Sequence, residues 1–335
     1  MQRSALITGI TGQDGSYLAK LLLAKGYRVC GISTYESAAS LWRLDYLGIL
    51  DKIELHNLNI TDQLPLFAVV RDCKPDEIYH LAALTTTRLS NSQPVTYGEV
   101  DGLATANLLE AVRGLNRDTR LYLASSVEIF GSYGVPDLLS SARYKPNNPY
   151  AMAKLYGYWM GSIYREGYGM YVCSGIMSNH ESPLRSLDFV TRKISNEVAR
   201  ISLGLSKELV LGSIDSRRNW GYAPDFVRAM WLLLQQDKPQ DVVISTGEEH
   251  TVREFLEKAF STVNLNWLDY VKYDASPAEA DRGTAQAIRA SELRDRLGWK
   301  PEVNFDEMVE IMVRADLQRW NRHLKGERFP WDFSG

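Results

Sequence analysis

Two short stretches of this chain carry side chains whose types and spacing suit acid–base chemistry. The first, LYLASSVEIFG (121–131), contains Ser126 and Glu128; the second, NPYAMAKLYGYW (148–159), contains Tyr150 and Lys154. A tyrosine and a lysine four residues apart share one face of a helix. The positive lysine favours the phenolate of its neighbour, and a phenolate can take the proton of an alcohol. A serine hydroxyl can hold the oxygen of that alcohol. Glu128 supplies a second acid/base group, so the set can do more than deprotonate one hydroxyl. Taken singly, each is better read as a strand-end hydroxyl, a surface glutamate, a half-buried tyrosine or a solvated lysine.

These groups need a scaffold, and the chain reads as one that alternates strands with helices. Apolar runs at 4–7, 27–32, 53–58, 77–81, 120–124 and 170–176 predict strands. Helical spacing covers 16–25, 64–73, 102–113 and 150–164. Such alternation predicts an α/β fold, a Rossmann-like doubly wound parallel sheet that binds ligands outside the carboxyl ends of its strands. Ser126 and Glu128 fall at one such end. After about Gly175 the alternation weakens. Helices at 189–204, 224–236, 252–263, 290–297 and 305–320, with strands at 208–212 and 242–245, indicate a smaller C-terminal α/β substrate-binding lobe. The expected division is 1–178 for a dinucleotide-binding domain, with 213–247 partly returning to it, and 179–335 mainly for the lobe.

Between the first strand and first helix stands TGITGQDG (8–15), with Gly9, Thr11, Gly12, Gln13, Asp14 and Gly15. Glycines there let the backbone turn tightly and approach a pyrophosphate at the helix N-terminus. The G-x-x-G-x-x-G spacing alone is weak; its place at the start of a βαβ pattern is what points to a nicotinamide dinucleotide. After the second strand, Glu36 is placed to accept the ribose 2′-hydroxyl of NAD, where an arginine would suit NADP. A solvated loop glutamate is the bland alternative.

The bulk numbers exclude other classes. The chain has 335 residues, 45% hydrophobic and 24% charged, with net charge −3. That balance argues against a general nucleic-acid or membrane-surface binder. Cys30, Cys73 and Cys173 are odd in number and widely spaced, with neither a disulfide framework nor a zinc-cluster pattern. With no signal-peptide pattern and no apolar run of membrane-spanning length, a cytoplasmic protein is expected.

Together these pieces resemble the extended short-chain dehydrogenase/reductase superfamily: TGxxGxxG, HLAA at 80–83, Ser-x-Glu after the fifth strand, and Tyr-x-x-x-Lys. Over nearly the whole length the chain is most similar to GDP-mannose 4,6-dehydratases. The strings that carry the likeness are ALITGITGQDGSYLAKLLLAKGY, YAMAKLYGYW, SNHESPLR followed by FVTRKI, RRNWGYAPDFVRAMW and GWKP. The resemblance implies a reaction without net redox change. Tyr150 would deprotonate O4 of the sugar, Ser126 would bond that oxygen, and Glu128 would remove the C5 proton and assist loss of the C6 hydroxyl. Lys154 would bind the nicotinamide ribose. Leu81, Ala82, Ala83 and Asn59 are implied to line the cofactor, NADP by family resemblance. Thr85, Asn179, Arg185, Val190, Lys193, Arg218 and Glu279 are implied to meet the nucleotide sugar, and a homodimer or homotetramer is implied.

The chain also departs from the pattern of its relatives. Tyr35 and Glu36 stand where an arginine pair is usual, and Asn59 where an acidic residue is usual. Leu84 and Thr85 replace Gln-Ser, and Ser213 and Ser276 replace an asparagine and an arginine. Such changes alter which hydroxyls a polar pocket accepts, and a related sugar such as a heptose or a modified hexose stays open at this point. Epimerisation, 4-keto reduction and decarboxylation use the same framework, and a catalytically idle nucleotide-binding relative shares the fold.

Overall fold

The computed structural model describes residues 2–34, 38–115, 118–133, 139, 142–273 and 296–327. Its strands begin as β1 (Ser4–Thr8), β2 (Arg28–Ser33), β3 (Glu54–Asn57), β4 (Glu77–His80), β5 (Arg120–Ser126) and β6 (Val172–Met177). These join a seventh strand, Val242–Ile244, in one sheet of order Val242–Ile244, β6, β5, β4, β1, β2, β3. Every pairing in it is parallel. The strand order reverses between β1 and β4, and a doubly wound sheet opens a ligand crevice at that switch.

Alternation along the strands builds a core on each face. Ala5, Ile7, Val29, Tyr79, Tyr122 and Cys173 point one way, against Leu18, Leu22, Phe226, Met230 and Trp299. Leu6, Cys30, Ile32, Ile78, Leu121, Leu123 and Val172 point the other way, against Leu66, Val70, Leu108, Val112 and Tyr164. Leu108 and Val112 are therefore core residues. A Cβ added at Gly175 would lie 2.1 Å from the Tyr122 hydroxyl, so β6 needs glycine there to pass that buried ring.

The chain divides into two compact units. The first is Met1–Met177, Phe226–Ile244 and Ser291–Trp299; the second is Ser178–Asp225, Ser245–Ala290 and Lys300–Gly335. The return to the first unit is thus made by 226–244 and 291–299. Of the helix expected at 290–297, only Arg296 and Leu297 lie among the described residues.

The second unit packs the helices Val190–Ser202, Val252–Ser261 and Phe305–Leu324 around Ile194, Val198, Phe255, Phe260, Met308 and Met312. Among the described residues, three two-stranded ribbons accompany them: Asn179–Glu181 with Trp220–Tyr222, Leu209–Leu211 with Val271–Tyr273, and Arg217–Arg218 with His250–Thr251. A buried charge cluster fixes the segment after Asn179. Asp316 accepts from Arg192 at 2.8 Å, Arg319 at 2.5 Å and Ser195 at 2.7 Å. Both arginines then donate to the Pro183 carbonyl, at 3.3 and 3.1 Å. One carboxylate shared by two guanidinium groups leaves a net positive centre, which suits the carbonyl it clamps.

The helix expected at 102–113 is Ala104–Leu115, entered through a π-helical turn at Gly98–Leu103. Single π turns of this kind cluster at functional sites.

Candidate active site

The glycine turn is held so closely that side chains would not fit. Gly9 has φ +70°, and a Cβ on it would come within 2.8 Å of the Ala82 backbone. A Cβ on Gly15 would sit 2.4 Å from the Gly9 carbonyl oxygen. Gly12 is the extended N-cap of the helix Gln13–Ala24 and brings no side chain of its own to that N-terminus. A helix start of this form favours an anion through its N–H groups and dipole. Around it, the Thr11 and Ser33 hydroxyls are 2.6 Å apart, Arg43 donates to the Thr11 carbonyl at 3.2 Å, and Gln13 donates to Asp14 at 3.1 Å. The turn therefore fits a dinucleotide pyrophosphate.

The HLAA segment is anchored to β1. The Thr8 hydroxyl accepts from the N–H groups of Leu81 and Ala82, each at 3.1 Å. It also meets His80 Nδ1 at 2.8 Å, while His80 Nε2 meets the Thr105 hydroxyl at 3.1 Å. With two donors already on it, the Thr8 oxygen gives its own proton to Nδ1, which leaves the imidazole proton on Nε2. Burial first, and the Lys154 charge second, push His80 down to about 3. His80 is a neutral strut between Thr8 and Thr105. Ala83 and Leu84 are half-buried and Thr85 is exposed.

The four candidate catalytic groups stand where β5 ends and the helix Pro149–Tyr168 begins. Pro149 occupies the first turn, and Asn148 caps the helix by accepting from Ala151 N–H at 2.8 Å. Such a cap contributes about 1 kcal/mol and fixes where the helix starts, hence where Tyr150 points. Tyr150 is 9% exposed, and its ring meets Tyr97 edge-on at 6.4 Å. Lys154 Nζ donates to the Ala124 carbonyl at 3.2 Å and lies 5.9 Å from the Tyr150 ring centre. Ser126 and Glu128 are half-buried, and the Glu128 N–H donates to Ser126 Oγ at 3.3 Å.

Asp101, in the π turn, completes this centre and was not singled out from the sequence. It is 2% exposed and accepts from Leu84 N–H at 2.7 Å. Burial pushes its carboxyl up to about 6, opposed by the Lys154 charge and the Leu84 hydrogen bond. Burial likewise pushes Lys154 down, opposed by Asp101. The carboxylate thus helps keep a buried ammonium charged. Asp101 and Thr105 lie four residues apart where the π turn runs into the helix Ala104–Leu115, and their partners Lys154 and His80 lie on other elements, so no local spacing announces them.

At the expected adenosine end, Glu36 lies outside the described residues, as does Glu279 of the expected sugar site. Asn59 is exposed and caps a turn, its side chain accepting from Thr61 N–H at 3.1 Å.

Asn179, Arg185, Val190, Lys193 and Arg218 all belong to the second unit. Arg185 pairs with buried Glu181 at 3.2 Å and lies 3.5 Å over the Phe189 ring. Glu181 also accepts from Thr191 at 2.6 Å. Lys193 is exposed and donates to the Val210 carbonyl at 2.8 Å; Arg218 donates to the Arg217 carbonyl at 2.6 Å. Asn179 is half-buried and Val190 exposed.

A Rossmann sheet with a glycine turn after β1, a Ser-x-Glu strand end and a Tyr-x-x-x-Lys helix defines the extended short-chain dehydrogenase/reductase class. Residues 6–312 match the model of the GDP-mannose 4,6 dehydratase family, and the chain belongs to that family. GDP-mannose 4,6 dehydratase 2 of Arabidopsis thaliana is 43% identical over 330 residues, 95% of this chain and 87% of that protein. GDP-mannose 4,6-dehydratase of Yersinia enterocolitica is 41% identical over 98% of both chains. Among solved structures, dTDP-glucose 4,6-dehydratase of Bacillus anthracis, in complex with NAD, superposes with TM-score 0.81. That match covers 95% of this chain and 98% of the other at 19% identity, a likeness of fold.

Proposed function

We propose that the chain is an NAD(P)-dependent lyase that removes water from GDP-mannose, yielding the 4-keto-6-deoxy sugar nucleotide. What carries this reading is the complete set Ser126, Glu128, Tyr150 and Lys154 in a chain that aligns with GDP-mannose 4,6-dehydratases over almost its full length.

Tyr150 takes the proton from O4, and Ser126 hydrogen-bonds that oxygen. A nicotinamide held by the glycine turn and Lys154 would supply the acceptor for the C4 hydride and the donor of the same hydride to C6. The C4 carbonyl so formed acidifies the C5 hydrogen. Glu128 removes it and passes a proton to the departing C6 hydroxyl, which leaves as water. A proton then returns to C5, balancing the one taken from O4. Lys154 stabilises negative charge on the Tyr150 oxygen and holds the nicotinamide ribose. Asp101 keeps Lys154 charged in its buried setting.

Gly9, Thr11, Gly12, Gln13, Asp14 and Gly15 cradle the pyrophosphate, with Leu81, Ala82 and Ala83 along the nicotinamide half and Glu36 and Asn59 at the adenosine end. Asn179, Arg185, Val190, Lys193, Arg218 and Glu279 receive the nucleotide diphosphate, with Thr85 near the sugar. The first unit thus serves the dinucleotide and the second unit serves the substrate. Incubation with GDP-mannose and no added reductant tests the function: the expected product is lighter by one water. A requirement for stoichiometric NAD(P)H would make the chain a reductase instead. Faster turnover of a GDP-heptose than of GDP-mannose would reassign the substrate.

The chain works as a homodimer or homotetramer. Met152, Tyr156, Trp159 and Ile163 recur at spacings of four and three on the helix Pro149–Tyr168 and are 39–57% exposed. An apolar stripe of this kind left in water suits a two-fold interface. Trp159→Glu with Ile163→Glu is expected to give monomers by light scattering; a monomeric parent protein would contradict the assembly. No described helix is long and apolar enough to cross a membrane, and three buried free thiols, Cys30, Cys73 and Cys173, suit the reducing cytoplasm.

A further inference from the structure

Cys30, Glu54, His56 and Cys73 come together at the edge of the sheet, with one potential ligand atom from each lying within 4.8 Å of all the others. Cys30 is on β2, Glu54 and His56 are on β3, and Cys73 ends the helix Gln63–Cys73. Cys30 Sγ is 3.5 Å from a Glu54 oxygen, Cys73 Sγ is 3.4 Å from His56 Nε2, and His56 Nε2 is 3.2 Å from the other Glu54 oxygen. Metal–ligand lengths of about 2.0–2.3 Å put neighbouring donors of a tetrahedral zinc site roughly 3.3–3.8 Å apart. The cluster is therefore already near the required size.

We propose that these four side chains form a structural zinc site. Two sulfurs and an imidazole select a borderline-soft cation over magnesium or calcium, and four protein donors close the tetrahedron. Electrostatics agree. Two thiolates and a carboxylate bring three negative charges, which a divalent cation and one guanidinium cancel. That guanidinium is Arg28, whose Nη1 lies 3.1 Å from Glu54 and 3.4 Å from Cys30 Sγ. Arg28 also donates to the Cys73 carbonyl, so it orients ligands from outside the coordination sphere, as outer partners of metal sites do. Access is from the solvent side, where His56 is 25% and Glu54 51% exposed, while both cysteines are buried.

The site explains how a weak strand is held. β3 has four residues, none of them buried, and is the last strand of the sheet. A cation would tie it to β2 and to the helix behind. Glu54 opens β3 and Cys73 precedes β4, so the cluster sits toward the amino ends of the strands. The glycine turn and Ser126 sit at the carboxyl ends, and the metal takes no part in the reaction.

The test uses the full-length protein, reduced and stripped with a chelator, then titrated with ZnCl2 or CoCl2. One metal per chain is expected. Cobalt should give a thiolate charge-transfer band and the intense visible bands of a tetrahedral site, and zinc should raise the melting temperature. Cys30→Ser with Cys73→Ser should abolish these signals, and Cys173→Ser should keep them. His56→Ala, at a partly exposed position that a folded variant tolerates, should weaken zinc at least about tenfold. Absence of the cobalt bands in the reduced, folded parent would overturn the proposal, as would equal zinc binding by the double cysteine variant. So would a Cys30–Cys73 disulfide that forms readily with zinc present, which would make the pair a redox couple.

Discussion

Tyr150→Phe is expected to lower kcat by about 10²–10⁴-fold, the usual contribution of a positioned general base. The substitution removes one oxygen and nothing else. The edge-on contact with Tyr97 and the placement of Lys154 over the ring persist, because both involve the ring itself. The site is 9% exposed and the volume is nearly conserved, so the fold should hold. The loss should fall on kcat with KM nearly unchanged, since the bond to O4 matters most as the proton leaves. Steady-state kinetics beside a melting curve checks this. A kcat within twofold of the parent would remove Tyr150 from the chemistry.

Glu128→Gln should separate the two halves of the reaction. Glutamine keeps the size of the side chain, and the bond from the position 128 N–H to Ser126 belongs to the backbone, so Ser126 stays in place. On the proposed mechanism, the base for C5 and the acid for the C6 hydroxyl are lost. Water loss is expected to fall by about 10²–10⁴-fold. Oxidation at C4 depends on Tyr150, Lys154 and Ser126, and should continue for a single turnover. Rapid mixing with GDP-mannose should then show reduced-nicotinamide fluorescence rising and persisting without product. Full turnover by this variant would take Glu128 out of the mechanism.

The parallel sheet was legible because its strands are apolar runs between helices whose own apolar residues recur at helical spacing. Thr8–Gly15, Ser126, Glu128, Tyr150 and Lys154 were legible for a related reason: each sits within a few residues of the strand end or helix start that positions it. The unread parts depend on partners distant in sequence. Asn179–Glu181 and Trp220–Tyr222 are three-residue strands that pair with each other across some forty residues, too short to show a period. The π turn at Gly98–Leu103 shifts the helix that follows, and helical spacing alone placed its start at Gly102. Asp101 gains its meaning from Lys154, and His80 from Thr8 and Thr105, through burial that only the folded chain creates.

The cysteines make the same point more sharply. Their spacing pointed away from a metal cluster, and Cys30 and Cys73 are in fact brought together by the β2–β3 pairing and the helix that follows. Cys30 is 24 residues from Glu54, and His56 is 17 from Cys73. Motif spacing detects ligands carried on one turn or hairpin; it does not detect ligands gathered across parallel strands, which are joined by long crossovers.

On the proposed mechanism the chain moves a hydride from C4 to C6 of one sugar while expelling water. GDP-mannose carrying deuterium at C4, incubated with the purified protein in ordinary water, follows that atom directly. The expected result is a 4-keto-6-deoxy product with the deuterium at C6, read by mass spectrometry and NMR. A product without deuterium at C6, or a sugar that keeps its C6 hydroxyl, would contradict it.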